Sequence, residues 1–165
     1  MKYDGSRKKS GRCGDELAQN SKRERLILST KAILDALPGI KSVKRTLQAH
    51  SDLSNFALTQ LPICAVVGRL PVPVEKSNTR NGEVDQIISL LKIDVVTYFQ
   101  SYDNEDIQIS NLGDTIFAAL YTNQNRDGLA LTTHIKPHEQ TNIWTPFVAF
   151  KMVVEHTYLH NTGGF

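Results

Sequence analysis

Apolar and polar positions alternate most regularly between Leu91 and Phe99. The odd positions there are apolar or β-branched: Leu91, Ile93, Val95, Thr97 and Phe99. The even positions are more polar: Lys92, Asp94, Val96 and Tyr98. Because successive side chains of a strand point to opposite faces, this period of two predicts a half-buried strand.

A strand that runs from Val84 to Phe99 is too long for the interior of one compact domain. It would span about 53 Å at about 3.3 Å per residue, whereas a domain of about 135 residues has a diameter of about 37 Å. Such a strand must bend sharply or project, and its first part has apolar side chains on both faces. We therefore predict projection into a neighbouring chain, with Ile87, Ile88 and Leu90 as the subunit contact.

Two segments have the spacing of amphipathic helices. We predict the first over residues 22–37, where Ser21 and Glu24 form a capping box and Pro38-Gly39 ends the helix. In that box Ser21 caps the Glu24 amide, and the Glu24 side chain reaches back. We predict the second helix over residues 104–122. The helix dipole favours the carboxylates around its N-terminus, which are Asp103, Glu105 and Asp106.

The other strands are predicted at residues 40–45, 63–70, 129–136 and 144–160, with a brief helical turn at Asp52-Leu53-Ser54. The polar segment Glu75–Gly82 predicts a loop, since Asn81-Gly82 is a strong turn signal. The strand before this loop and the long strand after it then form one extended hairpin.

This order of elements predicts an α+β fold. We expect a mostly antiparallel sheet with a long β-hairpin and two helices packed on one face. The other face must then be polar or covered by another subunit, and the apolar residues on both sides of the last strand favour cover. We expect residues 21–165 to form this single domain and residues 1–20 to form a basic N-terminal arm.

The charge of the chain is unevenly distributed. Residues 1–31 contain nine Lys or Arg and four Asp or Glu, a net +5, and the other residues contain ten and thirteen, a net −3. The arm offers almost nothing to a core, so alone in water it should be disordered. We expect its cluster of Arg7, Lys8 and Lys9 to dock on an acidic partner surface.

The candidate metal ligands lack suitable spacing. Pro137 prevents a helix that would place His134 and His138 on one face, and residues four apart on a strand, such as His156 and His160, are about 13 Å apart. The acidic residues before the second helix lack calcium-loop spacing. We predict no metal site.

No catalytic or cofactor motif is present either. The chain lacks a Gly-x-Ser-x-Gly elbow, a phosphate loop and a dinucleotide glycine pattern, so we expect neither an enzyme nor a cofactor. Cys13 and Cys64 form no disulfide framework, which fits assembly in a reducing cytoplasm. No segment has the length of a membrane helix, and the N-terminus lacks the apolar part of a signal peptide.

The elements, taken in order, resemble the tail terminator proteins of lambda-like long-tailed bacteriophages, also called tail completion or minor tail proteins. The resemblance covers residues 24–158, and the basic arm and the long hairpin lie outside the matched parts. The matching residues are Leu37-Pro38-Gly39-Ile40, Val43-Lys44-Arg45, Asp52-Leu53, Leu61-Pro62-Ile63 and Leu91 to Val96. A polar loop, a second helix and a final amphipathic strand complete the order.

The resemblance implies a structural virion protein without enzymatic activity or cofactor. Proteins of this family form a hexameric ring that caps the tail tube, stops its elongation and provides the surface for head attachment. The expected partners are copies of the chain itself, the tail tube protein and the head–tail connector or neck proteins, with genomic DNA only passing through the lumen. The expected location is the head-proximal end of the virion tail, after assembly in the host cytoplasm.

The family has no motif that transfers contact residues, so these follow from pattern alone. Besides the subunit contact above, we expect Arg80 and Asn81 at the hairpin tip to contact the tube or a neighbour.

Three alternatives stay open. The first is another ring-forming neck or head–tail connector protein. The second is a nucleic-acid-binding α+β module that uses the basic arm on phosphates; Tyr3 is the only aromatic residue there, which favours a solvated or partner-bound arm instead. The third is an enzyme of unrecognised type, which should have a concave pocket with convergent titratable groups.

Overall fold

The computed structural model describes residues 21–48, 50–55, 58–80, 83–101, 105–140 and 146–161. Over these residues the chain has an α+β fold, with a mixed six-stranded sheet and three α-helices. The helices are α1 (Lys22–Asp35), α2 (His50–Ser54) and α3 (Glu105–Thr122). The strands are β1 (Ser42–Lys44), β2 (Ile63–Gly68), β3 (Val72–Arg80), β4 (Glu83–Gln100), β5 (Thr132–Gln140) and β6 (Phe147–Asn161).

The long strand β4 is the centre of the sheet. One of its edges pairs with β6 from Gln86↔Asn161 to Gln100↔Phe147, and β5 follows outside β6. Its other edge pairs first with β3 and then with β2, and β1 lies outside β2. The pair β1–β2 is parallel and the other described pairs are antiparallel. The predicted mostly antiparallel sheet with a long hairpin is confirmed.

The predicted loop at Glu75–Gly82 is wrong over most of its length. The chain from Glu75 to Arg80 continues β3 and pairs with β4 up to Arg80↔Glu83, while Asn81 and Gly82 lie outside the described residues. Between Glu83 and Gln86, β4 pairs only with β3 among the described residues. A ribbon of two strands at the end of a sheet can be polar on both faces, so polar composition did not exclude a strand here.

Strand β5 also differs from its prediction, since it begins at Thr132 and continues through Pro137 to Gln140. It is an edge strand of the described sheet, and its register shifts between Lys136 and Glu139. Proline is tolerated at an edge or a bulge because its missing amide hydrogen interrupts no central ladder.

Helices α1 and α3 pack on one face of the sheet, called here the helix face, as predicted. Against them lie the odd positions of β4 from Leu91 to Phe99 and the even positions of β6 from Val148 to Tyr158. The α1 and α3 side chains in this core are Leu26, Ile27, Leu34, Ile109, Ile116 and Leu120.

The start of α1 confirms half of the predicted capping box. The Glu24 amide donates to Ser21 Oγ over 3.3 Å. The Glu24 carboxylate, however, accepts from Arg45 Nη1 at 2.5 Å and from Arg45 Nη2 at 3.3 Å, instead of reaching back to Ser21. These hydrogen bonds with the Arg45 guanidinium hold the pKa of Glu24 below its ordinary value of 4.5.

The opposite face, called here the open face, is covered at one end by the chain itself. Leu53 of α2 and Leu61 lie in a second apolar cluster. The sheet residues of this cluster are Ile63, Ala65, Val96, Tyr98, Phe147 and Ala149. We expected this face to be either polar or covered by another subunit. In the structure, part of its cover comes from the same chain.

A buried polar cluster lies between the helices and the sheet. His156 is fully buried, with Nδ1 2.9 Å from Thr133 Oγ1 and Nε2 3.5 Å from Thr30 Oγ1. The Arg126 side chain, also fully buried, donates to the carbonyl oxygens of Leu120, over 2.9 Å, and of Asn123. It thereby caps the C-terminus of α3, where a cation also complements the helix dipole.

The fold keeps the His156 imidazole neutral. Burial, together with the nearby positive charge of Arg126, lowers the pKa of His156 from 6.5 to about 3. The unfolded chain takes up this proton below about pH 6.5, whereas the folded chain takes it up only near pH 3. The contribution of His156 to stability is therefore full above pH 6.5 and falls as the pH drops toward 3.

We predict that replacing His156 weakens the dependence of stability on acid. Between pH 7 and pH 5, the wild-type chain should lose about 2 kcal/mol of unfolding free energy from this residue, and His156→Gln should lose that much less. Urea unfolding at the two pH values measures the difference. His134→Gln, which removes an exposed imidazole from β5, is the control. An equal loss in wild type and His156→Gln would contradict the assignment.

Candidate functional site

Beyond its self-covered end, the open face carries a band of charged residues. Arg69 Nη2 lies 2.9 Å from Asp94 Oδ2. Glu155 Oε1 lies 3.1 Å from Lys92 Nζ and 3.0 Å from Lys136 Nζ. We call these five residues the charged band. It crosses the sheet from the end of β2 through β4 and β6 to β5.

Glu155 is the centre of the band, because one carboxylate serves two ammonium groups. Burial alone raises the pKa of Glu155, but Lys136 and Lys92 outweigh this effect and hold the pKa below 4.5. Both ammonium groups lower this pKa by hydrogen bonding to the carboxylate and, to a smaller extent, by their charge. The carboxylate therefore stays ionised at neutral pH.

An apolar surface follows the band toward the free end of β4. Four residues on three adjacent strands form it, and we call it the strand patch: Val72, Ile88, Leu90 and Leu159. Val72 pairs with Leu90 and Ile88 pairs with Leu159, so the four side chains lie on one face. Val72 is 56 % exposed, and the other three are only half-buried.

The same region exposes further apolar side chains along the sheet edge. Leu70 is 83 % exposed and Val74 is 61 % exposed, on either side of Val72. Large exposed apolar patches on folded proteins commonly mark interaction sites. The strand patch and these flanking residues therefore form the candidate contact surface of the described chain.

The structure divides the three predicted contact residues between the two faces. Ile88 and Leu90, two positions apart, lie together in the strand patch. Ile87 lies on the helix face, opposite His160 on β6. On that face Ser89 Oγ lies 2.8 Å from His160 Nε2, and both residues are buried.

The other predicted contacts fall at or beyond the limits of the described residues. Arg80 ends β3 and pairs with Glu83, and Asn81 lies outside the described residues. Arg7, Lys8 and Lys9 lie outside them as well. Sequence reasoning missed Val72 and Leu159, because their place beside Ile88 and Leu90 depends on the register between strands.

A separate groove of about 440 Å³ lies between α3 and the turn that precedes β2. Leu61, Phe99 and Leu112 contribute its apolar surface, and Gln108 and Asn111 contribute amides. None of its lining residues within the described part of the chain is ionisable. Over those residues the groove therefore lacks the convergent titratable groups expected of an acid–base active site.

No protein-family model matches the chain, and no curated protein matches its sequence. The described residues contain no group of three His, Cys, Asp or Glu side chains that could hold a metal ion. Within the same part of the chain, no helix is long and apolar enough to cross a membrane. The strand patch is therefore the surface feature from which we infer function.

We predict that Glu155→Gln lowers the unfolding free energy by about 1 kcal/mol at pH 7, since Lys92 and Lys136 then lack a shared anion. The lowered pKa of Glu155 gives stability that is present above pH 4.5 and lost as the pH falls through the folded value. The variant should accordingly lose less stability in acid than wild type does. Denaturant unfolding at pH 7 and below pH 4.5 measures this difference. Glu139→Gln, which removes an exposed carboxylate from β5, is the control. Equal stability of Glu155→Gln and wild type at pH 7 would show that the band contributes nothing.

Proposed function

We propose that this protein is a tail terminator of a long-tailed bacteriophage, a structural protein that acts as a ring of identical subunits on the tail tube. The strand patch is the observation that carries the proposal. It lies on the long hairpin, where the sequence pattern predicts projection into a neighbouring chain. The order of elements resembles that of tail terminators, and this resemblance implies that the ring lies between the tail tube and the head connector.

The length of β4 supports this role. Its 18 residues span about 60 Å, and β6 accompanies it for 15 residues. Helices α1 and α3 cover one face of the sheet near the C-terminal half of β4, and α2 covers part of the other face there. The strand patch lies on the N-terminal half of β4. An extension of this kind can contact a neighbouring subunit without disturbing the core that holds it.

The composition of the strand patch supports a second copy as its occupant. Full burial of a Val, Leu or Ile side chain contributes about 1.5–3 kcal/mol, and these four are already partly buried. Each contact would thus gain about 4 kcal/mol from the patch. That gain is modest for a single contact, but every subunit of a closed ring takes part in two contacts.

Charge supports a second attachment through the arm. The arm, residues 1–20, carries +2, and residues 32–165 carry −3. The basic arm of one subunit can therefore bind an acidic surface of a neighbour or of the tube. Such attraction between opposite charges also speeds association.

Electron microscopy of particles produced without this protein tests the function directly. A terminator predicts tails that are over-long or not joined to heads, alongside filled heads. Tails of normal length with a failure elsewhere would place the chain in the neck or connector instead. Fully normal particles would overturn the structural role.

We predict that Ile88→Asp abolishes ring assembly and leaves a folded monomer. An aspartate in a closed apolar contact is desolvated without a partner, which should weaken association at least about 100-fold, or about 3 kcal/mol. Light scattering after size exclusion measures the mass, and circular dichroism checks the fold. Thr132→Asp adds the same charge to the open face at an exposed site on β5 and should assemble normally. Assembly of Ile88→Asp like wild type would refute the contact.

A further inference from the structure

A ring of identical subunits needs more than the strand patch. In a head-to-tail ring, each subunit presents one surface to the subunit before it and a different surface to the subunit after it. If the strand patch bound another strand patch, the pair would be a closed two-fold dimer and could not continue. The proposed ring therefore requires a second, complementary surface elsewhere on the chain.

The outward side of α3 has the properties of such a surface. Asp114, Phe117, Ala118 and Tyr121 follow one another at helical spacing, and all four are exposed. We call them the helix patch. The Phe117 and Tyr121 rings stack, with centroids 5.7 Å apart and planes 14° from parallel.

The helix patch is not an extension of the core. On an adjacent side of the same helix, Ile109, Ile116 and Leu120 pack against the sheet. Phe117 remains 38 % exposed and Tyr121 remains 56 % exposed. Aromatic residues are enriched at the energetic centres of protein contacts, so an exposed stacked pair fits an interface better than a solvated helix surface.

The charges around the two patches are complementary. Asp114 is the acidic residue of the helix patch, and α3 contains no Lys or Arg. The charged band beside the strand patch has three cations and two anions, a net +1. Lys92 follows Leu90 on the same face, and Asp114 precedes Phe117 by one helical turn. Asp114 of one patch can thus meet the net positive charge of the band beside the other.

The positions of the patches set the direction of the contact. The helix patch lies on α3, which covers the helix face of the sheet, whereas the strand patch lies on the open face. Because the two patches lie on opposite sides of the sheet, we assign them to two different neighbours. A contact between them passes from chain to chain, which is the geometry of a ring or a filament and not of a dimer.

We propose that the helix patch of one subunit binds the strand patch of the next. The proposal rests on the ring function above and assigns its two contact surfaces. The aromatic pair of α3 lies on Val72, Ile88, Leu90 and Leu159 of the neighbour, and Asp114 lies toward the charged band. The occupant of each patch is thus a second copy of this chain.

Two variants that each break one patch test the pairing. Ile88→Asp breaks the strand patch, and Tyr121→Lys breaks the helix patch by placing a cation toward the basic band. Tyr121 is exposed, and a lysine near the C-terminus of a helix is compatible with its dipole, so the fold should persist. Each variant alone should be monomeric in light scattering. A one-to-one mixture at about millimolar concentration, where a contact of about 4 kcal/mol is substantially occupied, should form a dimer of the two and nothing larger, since only one pair of patches remains intact.

The controls and the opposing outcomes separate this pairing from the ring function itself. Gln108→Lys adds the same charge to an exposed site on another side of α3 and should assemble like wild type. If Tyr121→Lys also assembles like wild type while Ile88→Asp does not, the pairing is wrong and the ring remains. A Tyr121→Lys dimer would mean that strand patches bind each other, which overturns the pairing. Two monomeric variants that fail to associate when mixed overturn it as well.

Discussion

The continuous ladder between β4 and β6 is the constraint on which the other features depend. It runs without interruption from Gln86↔Asn161 to Gln100↔Phe147. Such a ladder fixes which side chains share a face over its whole length. The described residues provide two long helices for one face and a short segment, with α2, for part of the other. Beyond that segment the open face carries first the charged band and then the partly exposed strand patch.

The polar side chains beneath the helices are held by hydrogen bonds, although Arg126 Nε and Nη2 have no partner among the described residues. Burial of the Arg126 guanidinium costs desolvation energy. The guanidinium nevertheless donates to carbonyl groups at the end of α3 that would otherwise lack donors. Its charge also helps keep His156 neutral, and the neutral ring lies between Thr133 and Thr30. This cluster fixes the C-terminal end of α3 against the sheet. The helix patch lies in the last three turns of the same helix, so the core arrangement also determines where that surface points.

Local patterns predicted the elements well, and they failed where the outcome depended on pairing. The alternation from Leu91 to Phe99 and the capping at Ser21 depend on neighbouring residues, and the structure has the strand and the helix that they predicted. The segment from Glu75 to Arg80 looked like a loop because its polarity was read without its partner strand. Glu24 pairs with Arg45, 21 positions away, which no local motif could indicate.

For the candidate site, Ile88 and Leu90 were predictable from hydrophobicity, but Val72 and Leu159 join them only through the cross-strand register. The error at Ile87 is of another kind, since the alternation of side chains along β4 by itself places Ile87 on the other face from Ile88.

The charged band gives the proposed contact a specificity that apolar burial alone would lack. The apolar cluster near α2 and the strand patch are both on the open face, so without an intervening band that face would present one long apolar strip. A strip of that kind accepts a neighbour in several registers, because burial is nondirectional and depends mainly on area. Ion pairs at a rim contribute only about 0–1 kcal/mol to stability, but a misplaced contact that brings like charges together costs several kcal/mol. With Lys92 next to Leu90, a partner that slides toward the covered end must desolvate the band or meet it with its own carboxylate. In the proposed contact the strand patch supplies the affinity, and the band limits where along β4 the neighbouring helix can bind.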